Sequence, residues 1–137
     1  FANVGLQVEV LAQLPAACGQ VGSRAACGVS LLGDGGAERV FVTLLPDVGL
    51  VSVDATSMGN TAVRAGPLPA PNAAGGWTVH AIVDHSIVEL IVNNATSFVV
   101  YAAPSSSETP GQVGLVDVDA GGLAELWLLA SSNHTLE

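Results

Sequence analysis

The sequence predicts an all-β fold, an antiparallel two-sheet β-sandwich of the jelly-roll or lectin-like kind. Three observations carry that expectation. Apolar residues recur at every second position rather than with the 3.6-residue period of a helix. The apolar runs are short and rich in Val and Ile, which suit a pleated surface. Clusters of Gly, Pro, Asn and Asp, the residues that turn a chain, separate them.

Taken in order, Val4, Leu6, Val8 and Val10 alternate with Gly5, Gln7 and Glu9, the pattern of a half-buried strand. Further strands are expected at 27–32, 39–45, 49–54, 77–84, 87–93, 97–102, 112–116 and 123–130. Turns fall at Gly33-Asp34-Gly35-Gly36, Leu45-Pro46-Asp47, Asn93-Asn94 and Ala120-Gly121-Gly122. Residues 59–76 and 104–111, rich in Pro, Gly and small polar residues, read as loops. Trp77 and Trp127 stand at strand positions expected to face the core. Residues 1–130 read as one sandwich domain and 131–137 as an exposed polar tail.

A chain of 137 residues fits one domain and can bury a sizeable core. With 50% of residues hydrophobic and 11% charged, intrinsic disorder is excluded. No apolar run is long enough to cross a bilayer. The net charge is −9, from twelve acids, three arginines and no lysine. Nucleic acid and anionic membranes, which are bound through Lys and Arg, are therefore poor partners, whereas a neutral sugar is not penalised.

The sequence opens Phe1-Ala2-Asn3, which reads as a mature product or a piece of something longer. Asn94-Ala95-Thr96 and Asn133-His134-Thr135 both fit the N-glycosylation pattern. Cys18 and Cys27 are the only cysteines. Paired, they close a short loop between the first two strands and stabilise by roughly 2–3 kcal/mol. Sequons with an even cysteine count point to a secreted or lumenal location: extracellular, cell wall or vacuolar lumen.

The stretch Trp77-Thr78-Val79-His80-Ala81-Ile82-Val83-Asp84-His85-Ser86-Ile87-Val88-Glu89-Leu90-Ile91-Val92-Asn93 resembles a hairpin of the form V-D-x-S-x-V-E-x-F. That hairpin belongs to the C-terminal β-sandwich of glycoside hydrolase family 32, the invertases, inulinases, levanases and fructosyltransferases. The strand Ser97-Phe98-Val99-Val100-Tyr101 leading to Pro104 is similar to the one that follows it there. Val51-Ser52-Val53-Asp54-Ala55-Thr56-Ser57-Met58-Gly59 resembles the module's D-R-S-x-S-G segment, with Ala55 and Thr56 in place of Arg-Ser. Leu123 to Ala130 is similar to its final strand.

In that family the catalytic Asp and Glu lie in an N-terminal five-bladed propeller, within N-D-P-N-G and E-C elements. This chain has no Asn-Asp pair and no Glu-Cys pair. The resemblance therefore implies a non-catalytic module whose partner is the propeller, in a parent acting on sucrose or fructans. It also implies Asp54, Arg64, Asp84 and Glu89 as candidates for fructosyl or interdomain contact.

The residues themselves leave blander roles open. Asp84 suits hydrogen bonding within the His85-Ser86 turn. Glu89 interrupts an apolar run and needs solvent or an arginine partner. His85 is a further candidate for the same contacts, or an exposed turn histidine without a role. Asp117 and Asp119 before Gly121-Gly122 fall short of a calcium cage, so no metal or cofactor is expected.

Three readings follow: a structural module of a glycosidase, a stand-alone lectin-like binder of fructose-containing sugars, or a non-enzymatic extracellular assembly protein. The first predicts an exposed apolar patch and the second a shallow polar pocket near Asp54, Arg64 and Glu89.

Overall fold

The computed structural model describes residues 2–4, 7–15, 27–33, 38–58, 62–73, 75–102, 111–116 and 125–131. Among them are the strands β1 (Ala2–Val4), β2 (Gln7–Leu14), β3 (Cys27–Gly33), β4 (Val40–Leu45), β5 (Leu50–Asp54) and β6 (Arg64–Pro67). β7 (Trp77–Asp84), β8 (Ile87–Val92), β9 (Thr96–Tyr101), β10 (Gly111–Val116) and β11 (Glu125–Ser131) follow, with one 3-10 turn at Thr56–Met58. No helix among the described residues is long and apolar enough to cross a membrane.

The strands form two antiparallel sheets, one in the order β1-β10-β3-β4-β5-β6 and the other β11-β2-β7-β8-β9. Because side chains alternate between faces, β2, β4, β5, β7 and β8 each contribute every second residue to the space between the sheets. Val8, Val10, Ala12 and Leu14 of β2 are buried there with Val79, Ala81 and Val83 of β7. Val29 and Leu31 of β3, Val42 and Leu44 of β4 and Val53 of β5 belong to the same core. Each of the buried Val and Leu side chains stabilises by about 1.5–3 kcal/mol when removed from water.

Two expectations are corrected. The single strand read from Val4 to Val10 is two strands in different sheets: β1 pairs with β10, and β2 with β7 and β11. Alternation reports which face a residue takes, not which sheet it joins. The loop expected over 59–76 contains β6, which pairs with β5 along Val53↔Arg64 to Leu50↔Pro67. A proline cannot donate to a ladder, and β6 at the sheet margin pairs on one side only, where that is tolerated.

Among the described residues Ser30 on β3 is the buried polar one, and its hydroxyl has no partner. Cys27 opens β3, buried and not free; Cys18 lies outside the described residues, as do Arg24, Asp117, Asp119, Asn133 and the 104–110 loop.

Candidate functional site

The five residues singled out by sequence fall on two different sheets. Asp54 ends β5 and accepts the Thr56 hydroxyl at 2.6 Å and the Thr56 N–H at 2.9 Å. These bonds, the hydroxyl's first, favour the carboxylate and hold its pKa below the ordinary aspartate value against a small opposing desolvation. Asp54 thus serves its own turn. Arg64 opens β6, exposed, and forms no ion pair among the described residues. Among the described residues no hydrogen bond or ion pair joins Asp54 or Arg64 to Glu89; β5 and β6 belong to one sheet and β8 to the other.

Asp84, His85 and Glu89 do share one element, the β7–β8 hairpin. Asp84 pairs with Ile87 across a two-residue turn, and His85 takes φ 53, a left-handed conformation that His tolerates better than most residues. Asp84 Oδ1 lies 2.7 Å from His85 Nδ1. The Ala102 N–H donates to the Ser86 carbonyl at 2.8 Å, tying the chain after β9 to this turn.

The arginine partner expected for Glu89 is absent among the described residues. Glu89 points outward from β8 between Ile82 of β7 and Val99 of β9, where water already solvates it. Asp84 is exposed as well. Both carboxylates of the hairpin therefore stand in solvent rather than in a closed cleft.

What the register does assemble is the outer face of the five-stranded sheet. Cross-strand neighbours form rows: Asp84–Ile87–Tyr101, then Glu9–Ile82–Glu89–Val99, then Leu11–His80–Ile91–Ser97. Ile82, Ile87, Val99 and Tyr101 are 45%, 43%, 61% and 58% exposed. His80 Nε2 lies 2.7 Å from Glu9 Oε1 at the side of this face. An open groove of about 220 Å³ runs over it, lined by His80, Ile82, Glu89, Ile91, Ser97 and Val99 among others.

Ile82, His80, Glu9 and Val99 were not among the residues singled out by sequence. Their proximity depends on β2–β7 pairing, and Glu9 and His80 are 71 residues apart. No group of three or more acidic, His or Cys side chains able to hold a metal occurs among the described residues.

A second exposed apolar group, Val48, Leu50 and Val63, belongs to the β4–β5 turn and the entry to β6 in the other sheet. The other end of β7 is polar but closed. Thr78 N–H donates to Asn93 Oδ1 at 2.7 Å, and Asn93 Nδ2 donates to the carbonyls of Ala70 at 3.0 Å and Gly76 at 3.3 Å. Asn72 Nδ2 donates to the Thr78 hydroxyl at 3.0 Å, which donates to Gln13 Oε1 at 2.6 Å. The Trp77 indole N–H donates to the Pro69 carbonyl at 2.9 Å.

No family model and no curated protein matches the sequence. Among solved structures, the chain is similar to an exo-inulinase from Aspergillus awamori, with TM-score 0.68 and 19% identity over 95% of this chain and 26% of that one. It is similar to a β-fructofuranosidase from Aspergillus kawachii, with TM-score 0.60 and 14% identity over 83% of this chain and 21% of that one. Sheep galectin-11 matches with TM-score 0.50 and 12% identity over 94% of this chain and 90% of the galectin. The two-sheet sandwich and its likeness to the family 32 module hold at the level of the fold. The chain spans about a quarter of the length of the inulinase.

Proposed function

We propose that this chain is the non-catalytic C-terminal β-sandwich of a family 32-like glycosidase, supporting a separate catalytic propeller. The observation that carries the reading is the inulinase match, which takes in 95% of this chain but 26% of the enzyme. The exposed apolar groups agree with it, since a domain separated from its partner keeps an apolar footprint.

The test is hydrolysis of sucrose and inulin by the polypeptide encoded by the whole gene, beside the 137-residue chain alone. Activity in the former and none in the latter is expected. A gene encoding nothing beyond this sandwich would sink the reading.

The secretory location, a Cys18–Cys27 bridge and glycans on Asn94 and Asn133 belong to the same proposal. Asn94 is exposed in the β8–β9 turn, where an oligosaccharide meets no obstacle from the sheet. Secreted protein is expected to lose mass on glycosidase treatment and to shift by two hydrogens on reduction.

The galectin match, which covers 90% of a lectin chain, favours a second reading as a stand-alone sugar binder. Calorimetric titration with fructose, sucrose, inulin and levan separates the two. Heat with any of them supports the second.

A further inference from the structure

A sheet face that meets only water alternates apolar inward with polar outward. The outer face of β7, β8 and β9 does not: Ile82, Ile87, Ile91, Val99 and Tyr101 point away from the core in contiguous rows. The face also carries Glu9, Asp84 and Glu89, with no Arg or Lys among its described residues. Glu89 stands in the middle row, between Ile82 and Val99. Any surface that covers the two aliphatic residues desolvates that carboxylate, which is costly without a cation in reach.

These features select the occupant. A second copy would bring six carboxylates together (three from each) in a chain of net charge −9 with three arginines and no lysine. A sugar needs several hydrogen-bonding groups, but the groove is lined mostly by Ile82, Leu90, Ile91, Phe98 and Val99. Its polar side chains are Glu89 and Ser97, beside a His80 ring already engaged by Glu9.

We infer that the outer face of the five-stranded sheet, centred on Ile82, Glu89 and Val99, docks against an apolar protein surface that presents an arginine or lysine to Glu89. The inference rests on the proposed function only in drawing that surface from the remainder of the same polypeptide. Arginine suits the place best, because its guanidinium meets a carboxylate through two parallel hydrogen bonds and is weakly hydrated.

Hydroxyl-radical footprinting tests it, comparing the whole-gene polypeptide with the 137-residue chain. Oxidation of Ile82, Val99 and Tyr101 is expected to fall about five-fold or more in the longer protein, since water is excluded from the centre of an interface. Val48 and Val63 should be oxidised equally in both. Protection at Val48 and Val63 alone would overturn the assignment of the face and leave the proposed function standing. Protection at neither group would overturn both.

In the longer protein Glu89→Arg should restore oxidation of Ile82 and Val99 towards the level of the chain alone, with an unchanged circular dichroism spectrum. Persistent protection in Glu89→Arg overturns the cationic partner. Protection of the chain alone that grows with its own concentration, or on adding fructose or sucrose, overturns protein docking in favour of a second copy or a sugar.

Discussion

The two ends of β7 treat their surroundings in opposite ways. At the Trp77 end, Gln13, Asn72, Thr78 and Asn93 spend their side chains on one another and on the backbone of the preceding loop. At the Asp84 end, the same strand presents Ile82 outward beside Val99, and the Glu89 carboxylate makes no hydrogen bond or ion pair among the described residues. The first end closes its polar groups on one another; the second leaves apolar side chains and a carboxylate facing water. Half-buried polar groups that satisfy one another rigidify a fold, whereas exposed apolar side chains contribute little to it.

Substitutions can break or sharpen this contrast. Trp77→Ala removes a buried indole together with its bond to Pro69, and a loss of about 3–5 kcal/mol in unfolding free energy is expected from denaturant titration. Asn93→Ala forfeits three side-chain bonds and puts Ala at φ 48, for a cost of about 2–3 kcal/mol. Asn93→Gly should recover about 1 kcal/mol of that, since glycine adopts the left-handed conformation freely. An equal loss in both variants would show that the bonds alone matter.

At the other end, Ile82→Thr and Val99→Thr should each change the stability of the 137-residue chain by no more than about 0.5 kcal/mol. A loss above about 1.5 kcal/mol at either position would place the outer face in the structural half of the contrast.

The smallest effect is expected at Asp54. Thr56→Val removes the hydroxyl bond and should cost less than about 1 kcal/mol at neutral pH, since solvent screens the site. A carboxylate whose folded pKa is depressed contributes above its ordinary pKa and loses that contribution as pH falls through the folded value. The gap between Thr56→Val and the parent should therefore close in acid, and a gap that persists below that range would remove Asp54 from the account.

Much of the fold was legible because a strand with one buried face announces itself. β7 and β8 follow from their Val- and Ile-rich runs, and the His85-Ser86 turn from its place between them. β6 was hidden, since Arg-Ala-Gly-Pro carries no strand signal and pairs only because β5 lies beside it. The outer face was hidden for a different reason. In Ile82-Val83, Ile87-Val88 and Val99-Val100 both neighbours are aliphatic, so sequence cannot say which one faces water; the register decides that. Asp54 and Arg64 were drawn in by resemblance, and the sheet order places them in the sheet opposite the hairpin.

β9 ends its sheet, and Thr-Ser-Phe-Val-Val-Tyr is the kind of segment that stacks into fibrils when its margin is bare. Here β6 of the opposite sheet lies against it. The Thr96 hydroxyl donates to the Pro67 carbonyl at 2.6 Å, and a Cβ added at Gly66 would stand 3.1 Å from the Phe98 ring and from the Thr96 methyl. Gly66 lets the two strands approach. The same residue that erased the strand signal at β6 thus guards solubility, and its loss would show first as turbidity in a stored sample.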